Sequence, residues 1–372
     1  MIEHNYGSSA PYTVGVEEEF QLMRRETYDL VPRAAEMLGD ATEADLVNIK
    51  PELMQSVIES ATGVCGTVAD AEAELRQLRR RLHQLADEHD CLLGSAGTHP
   101  FSRYEFQKVT EQQRYADIIS RLKWVAQREL IFGLHVHVGI DSPDKAIAVM
   151  NHIRTYLPHI LALSANSPFW QGRHTGLQSS RIKVFDSFPR SGVPERFASW
   201  DDWSALMERA MRTGMIEDYT YIWWDVRMHP RFGTIEVRVA DGQTRVRDSA
   251  ALAALVQGLA AWIGSRFDEG TLPEATHPRM LIDENKWQAL RYGLEGEFID
   301  LDTDERIPTR AAIERLLTSV EPHVRELGSA EYLDWLAGMA QENGASRQLE
   351  CYERTESLVS VAEMLVEQTN DA

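Results

Sequence analysis

The sequence predicts an α+β fold, and three observations carry that reading. Three short segments alternate apolar and polar residues with period two, as strands packed on one face do. Other stretches repeat their apolar residues every three to four positions, as amphipathic helices do. The chain has 372 residues, 43% hydrophobic and 26% charged, enough to bury a large core.

The first strand is expected over residues 13–23. In Val14-Gly15-Val16-Glu17-Glu18-Glu19-Phe20-Gln21-Leu22, the apolar side chains take one face while Glu17 and Glu19 take the other. Glu18 falls on the apolar face, so it must reach solvent at an edge or meet a buried cation. Residues 33–46 read as a short helix or loop, and 51–60 as strand or helix. A helix is expected over 69–90, where Leu75, Leu78, Leu82 and Leu85 form one stripe. Its opposite face, with Glu74, Arg76, Arg79 and Arg80, reads as solvated. A short strand over 91–97 ends in the turn Gly97-Thr98-His99-Pro100.

Next come a helix over 111–129 and the second alternating strand. In that strand Leu134, Val136, Val138 and Ile140 oppose His135 and His137. A helix over 144–164 has Asp141 or Ser142 as its cap and Pro143 in its first turn. Residues 165–200 lack periodicity and read as a long functional loop. They are followed by a helix over 201–213 and strands over 221–228 and 233–241. In the last strand Ile235, Val237 and Val239 oppose Glu236 and Arg238. A helix over 246–266 precedes a mostly helical part from about 285, whose acidic run at 300–305 reads as a solvated turn. With no repeat and no linker, a single domain over 1–372 is expected.

The formal net charge of -20 argues against nucleic acid, because its phosphates need a basic field. Cys65, Cys91 and Cys351 stand at unrelated spacings, which fits a reducing cytoplasm better than a disulfide framework. No signal peptide is legible, and the apolar run 250–263 is short for a membrane span, so no membrane association is expected.

Five groups of residues suggest chemistry. Glu17 and Glu19 on one strand face lie roughly 6–7 Å apart, a repulsive pair unless it is solvated, protonated or bridged by a hard cation. His135 and His137 share a face and suit metal or phosphate contact; a hydrogen-bonded core is the competing reading. Glu236 and Arg238 form a salt bridge or a phosphate site, and Arg227 and Arg231 lie near the same hairpin. Glu52 and Glu59, seven apart, share a helix face but need a bulge to share a strand face. Arg181 follows Ser179-Ser180 in the long loop. No glycine-rich phosphate loop and no nucleophile elbow is present, so any nucleotide must be held by metals and arginines on a sheet.

The runs Val14–Phe20, Gly97-Thr98-His99-Pro100-Phe101, Gly133–Gly139, Ser179-Ser180-Arg181, Trp224-Asp225-Val226-Arg227, Gly233–Arg238 and Arg291-Tyr292-Gly293-Leu294 resemble those of the carboxylate–amine ligases, also called glutamate–cysteine ligase type 2. The resemblance spans roughly residues 12 to 365. It implies a glutamine synthetase-like catalytic domain, an antiparallel sheet flanked by helices. It also implies ATP, Mg²⁺ or Mn²⁺, an acyl-phosphate intermediate, small carboxylate and amine substrates such as glutamate and cysteine, and a homodimer. By position it makes Glu17, Glu19, Glu52, Glu59, His135 and Glu236 the metal-ligand candidates. Arg238 and Arg227 become phosphate contacts, and Arg181, Arg291 and His99 substrate or nucleotide contacts. Two alternatives are a guanidino-kinase-like phosphotransferase on the same type of sheet and a non-catalytic binding protein.

Overall fold

The structure, a computed structural model, describes residues 2–371. Its centre is a seven-stranded sheet, antiparallel at every pairing, built from β1 (Val14–Arg24), β2 (Ile49–Pro51), β3 (Val57–Ala61), β4 (Cys91–Gly94), β5 (Gly133–Gly139), β6 (Val226–His229) and β7 (Thr234–Asp241). The order is β6-β7-β5-β1-β3-β2, with β4 also pairing to β1. The eleven-residue β1 therefore has β5 along one edge, while its other edge is shared between β3 and β4.

The predicted alternation sets which face is which. Val14, Val16, Leu134, Val136, Val138, Ile235, Val237 and Val239 are buried and join one large apolar core behind the sheet. Two helices close that side: α1 (Val68–Glu88), begun by a Thr67–Asp70 capping box, and α2 (Val246–Asp268). At 23 residues α2 runs two residues past the expected 246–266 and is apolar enough to cross a membrane, a property the short apolar run 250–263 did not suggest, but 78% of its apolar window is buried inside the protein. It is a core helix. C-terminal helices Thr309–Glu326 and Glu331–Met339 pack on it, which accords with the expected helical last third.

Four expected elements differ. The strand over 221–228 is two, Trp223–Trp224, which pairs in parallel with Ser191–Gly192, and β6 in the main sheet. The helix over 111–129 is two short ones, Gln113–Leu122 and Trp124–Gln127, because Lys123 takes a left-handed φ of 50° and turns the chain. The helix over 144–164 breaks at a tight turn, Arg154–Tyr156, just before Pro158, which has no N–H to continue the ladder. The long loop 165–200 contains a helix, Ser180–Phe185, and Arg181 sits in its first turn.

Candidate active site

The front face of the sheet forms the floor of a cavity of about 340 Å³. Register decides what meets there. Glu17 stands opposite His135, and Glu19 stands opposite Glu59. Glu52 arrives from the hairpin that joins β2 to β3, so it reaches the side of Glu59 through a turn and not through the bulge expected from the sequence. Potential ligand oxygens of Glu19, Glu52 and Glu59 lie within 4.8 Å of one another. A second group, Glu17, His135 and Glu236, meets the same limit.

These two groups are electrostatically unlike. Burial, then repulsion from Glu17, Glu52 and Glu19, pushes the Glu59 carboxyl well above the usual range. Burial and the Glu52 charge raise Glu19 to about 7, against the pull of Arg181 and the Gly133 N–H. Glu52 is raised by burial, partly offset by the Leu53 N–H that it accepts at 2.9 Å. Three carboxyl groups this close, with little internal neutralisation, suit a hard divalent cation.

The second group is largely neutralised from within. Arg227 grips Glu236 with two N–H groups, at 2.6 and 3.1 Å, and Arg238 also donates to it. Burial works to raise Glu236, but the two arginines outweigh it and hold the carboxyl well below its usual range. Burial likewise opposes ionisation of Glu17, and hydrogen bonds from His135 and His137 overcome it. His135, 3% exposed, is lowered to about 4 by burial and by Arg238, so its ring is neutral near pH 7 and able to ligate. Glu236 is thus as much the anchor of Arg227 and Arg238 as a ligand.

A bulge aims Arg238. Val237 pairs with Val136 and Ala240 with Leu134, so Arg238 and Val239 together oppose His135. Arg181 caps the bulge by donating to the Val239 and Arg238 carbonyls at 3.4 and 3.2 Å. A Cβ at Gly133 would lie 2.9 Å from His135 Nε2 and would collide with Arg181, so only glycine fits there.

Two expected contacts are elsewhere. His99 is fully buried and does not line the cavity: its Nε2 bonds the Tyr28 carbonyl at 2.8 Å and its Nδ1 accepts the Phe101 and Ser102 N–H groups. It organises a turn. Arg291 donates to the Gly176 carbonyl and packs over Tyr292, also outside the cavity lining. The sequence reading missed Glu129, Arg114 and Tyr115, which line the cavity. The one available signal for Glu129 was an acid directly before the apolar run Leu130-Ile131-Phe132. It also misplaced Arg79: far from being solvated, this side chain is buried against Glu18 on the back face.

An antiparallel sheet flanked by helices, with acidic and guanidinium side chains on one face, defines the fold as that of the glutamine synthetase-like ligases. Among solved structures, the Francisella tularensis glutamate–cysteine ligase in complex with AMP gives a TM-score of 0.69 at 12% identity, over 98% of this chain and 90% of its own. The ligase PafA, solved with the ubiquitin-like protein Pup, gives 0.51 at 11% identity, over 95% and 72%. A Rubrobacter xylanophilus protein named "Putative glutamate--cysteine ligase 2-1" is 43% identical, covering 100% of this chain and 98% of its own. A Solibacter usitatus protein of similar name is 41% identical over 96% and 93%. The profile of glutamate–cysteine ligase family 2 matches residues 13–365, and the chain belongs to that family. The phosphotransferase alternative draws no support from these matches.

Proposed function

We propose that this protein is an ATP-dependent carboxylate–amine ligase that forms an amide through an acyl phosphate. The observation that carries the reading is the shared cavity: members of both groups of potential metal ligands line it together with Arg227 and Arg238 from the sheet and Arg181 from the short helix beside it. Family membership supports the reaction class.

In the first step a substrate carboxylate oxygen attacks the γ-phosphorus of ATP, the bond to the β-phosphate oxygen breaks, and ADP leaves. In the second, an amine nitrogen attacks the acyl carbon and loses a proton as phosphate departs. Arg238 and Arg227 are the groups that stabilise the charge on the transferring phosphoryl. Glu236 holds both guanidinium groups in place, and the bulge capped by Arg181 fixes the direction of Arg238. Mg²⁺ or Mn²⁺, held by Glu19, Glu52 and Glu59 and by Glu17 with His135, would supply the positive charge that lets one anion approach another. The reaction calls for no cysteine, and none of the three lines the cavity.

Glutamate and cysteine are the substrates that the family name points to. The continuous apolar core behind the sheet, which extends to the C-terminal helices, supports one catalytic domain. The unpaired cysteines fit a reducing, cytoplasmic setting, and a homodimer remains the family's expectation. ADP release should require a carboxylate, an amine and a divalent cation together. Full ADP release in the presence of EDTA would overturn the proposal, and an amide product separates ligation from phosphotransfer.

A further inference from the structure

Glu129 is the acidic group in the cavity that the reaction outlined above leaves unused. It lies in the connection that leads into β5, and it lines the cavity with Oε2 buried and without a hydrogen-bond partner. It belongs to no group of three metal-type ligands within 4.8 Å among the described residues. Burial is the main cause of its carboxyl being raised to about 8; the Arg181 charge pulls the other way, and Glu19 and Glu52 add to the rise.

Arg181 is its natural counterpart. It is 2% exposed, lines the same cavity and influences Glu129 electrostatically, yet no ion pair within 4.0 Å joins the two among the described residues. Only two of its N–H groups are committed, to the bulge carbonyls, and Nε has no partner. The walls nearby are apolar: Ile131 is two residues from Glu129, and the Arg181 guanidinium stands 5.8 Å from the centre of the Phe185 ring. A carboxyl oxygen without a partner and a guanidinium with spare N–H groups, lining one cavity, match a ligand that carries both charges on neighbouring atoms.

The geometry points to a zwitterion clamp in which Glu129 receives the ammonium and Arg181 the carboxylate of an α-amino acid head group. This rests on the ligase reading and deepens it by naming the residues that hold the α-amino acid head: the arriving positive charge favours the ionised form of Glu129, and the head is held while another part reacts or, for the amine substrate, while the ammonium gives up its proton. The head has two possible owners, the acid substrate or the amine substrate, and the arms of the test separate them.

The acid arm compares L-glutamate with glutarate, which lacks the α-amino group, at fixed amine. The amine arm compares L-2-aminobutyrate with propylamine, which lacks the carboxylate, at fixed acid. Wild-type protein should favour the zwitterion in one arm by tenfold or more in kcat/KM for ADP release. Glu129→Gln should erase at least tenfold of that preference with KM for ATP within twofold, and Glu129→Asp should restore part of it. Loss in the acid arm gives the head to the acid, and loss in the amine arm gives it to the amine. Preferences in both arms unchanged in Glu129→Gln would overturn the clamp. Absence of ADP release by wild type with every pair would instead break the ligase reading. Calorimetric binding of L-glutamate, glutarate, L-2-aminobutyrate and propylamine to wild type and Glu129→Gln then decides the clamp without turnover: weaker zwitterion binding by the variant supports it, and equal binding overturns it.

Discussion

Neighbouring glutamates on the two faces of β1 have opposite surroundings. On the back, Glu18 is 1% exposed and fully answered: Arg79 donates to it at 2.9 and 2.5 Å, and the Ser249 hydroxyl at 2.5 Å. Arg79 spends its remaining donors on the carbonyls of Thr244 and Gln243, at 2.7 and 2.9 Å. On the front, Glu19 meets Glu52 and Glu59, and the charge of Arg181 and one backbone N–H, from Gly133 at 2.5 Å, answer it only in part. One strand therefore carries a closed charge that stabilises the fold and an open charge that the fold tolerates. A buried charge with a complete set of partners is architecture, and one without them waits for a ligand.

The sharpest way to break this contrast is to open the closed side. Arg79→Met should destabilise the protein by about 3–5 kcal/mol, because it strands Glu18 in the core. The denaturant midpoint reads this. The double replacement Glu18→Leu with Arg79→Met should recover much of the loss. A single variant as stable as wild type would show that the pair is not closed at all.

Glu59→Gln probes the open side. It should cut ADP formation by about 100-fold or more, equivalent to about 2.7 kcal/mol in the barrier. Its unfolding midpoint should be unchanged or higher, since the amide replaces a carboxyl whose charge burial and its neighbours already disfavour. A large stability loss with activity retained would reverse the assignment of the two faces.

A gentler effect follows from pH. Glu19 at about 7 and Glu129 at about 8 sit above the ordinary carboxyl value, so between about pH 5 and 8 these two groups bind more protons in the folded state than in the unfolded chain. Stability contributed by their protonated forms is lost as pH rises through that window. In EDTA the share of thermal stability that these two groups lose from pH 5.5 to 8 should therefore shrink by about a few degrees in Glu129→Gln. Mn²⁺ should restore more of it at pH 8 than at pH 5.5, and equal restoration at both would contradict an ionised glutamate site.

The front-face residues of β1, β5 and β7 were legible because strand alternation is local: Glu17, Glu19, His135 and Glu236 sit where period two puts them. What the sequence hid depends on contacts between distant segments. Glu52 joins Glu59 through a hairpin that periodicity does not encode. Arg238 owes its direction to a bulge, and the bulge to a cap from Arg181 more than fifty residues away. Arg79 looked solvated because its helix alone gives no sign that Glu18 waits on the next layer. Glu129 lies on no periodic element, so only the assembled cavity reveals it. His99 and Arg291 sit in runs that match the family motifs, yet their donors and acceptors are used to hold turns.

The split edge of β1 has a consequence in time. At about 5–20 residues per second, the ribosome finishes residue 24 roughly 6–23 s before it finishes residue 139. During that interval β1 lacks β5, its partner along one edge, and the nascent chain displays a run of three glutamates in place of an apolar ribbon. Like charges of this kind discourage two such strands from zipping together. The acidity that prepares the finished cavity thus also guards the half-made chain against sticking to its neighbours on the same message.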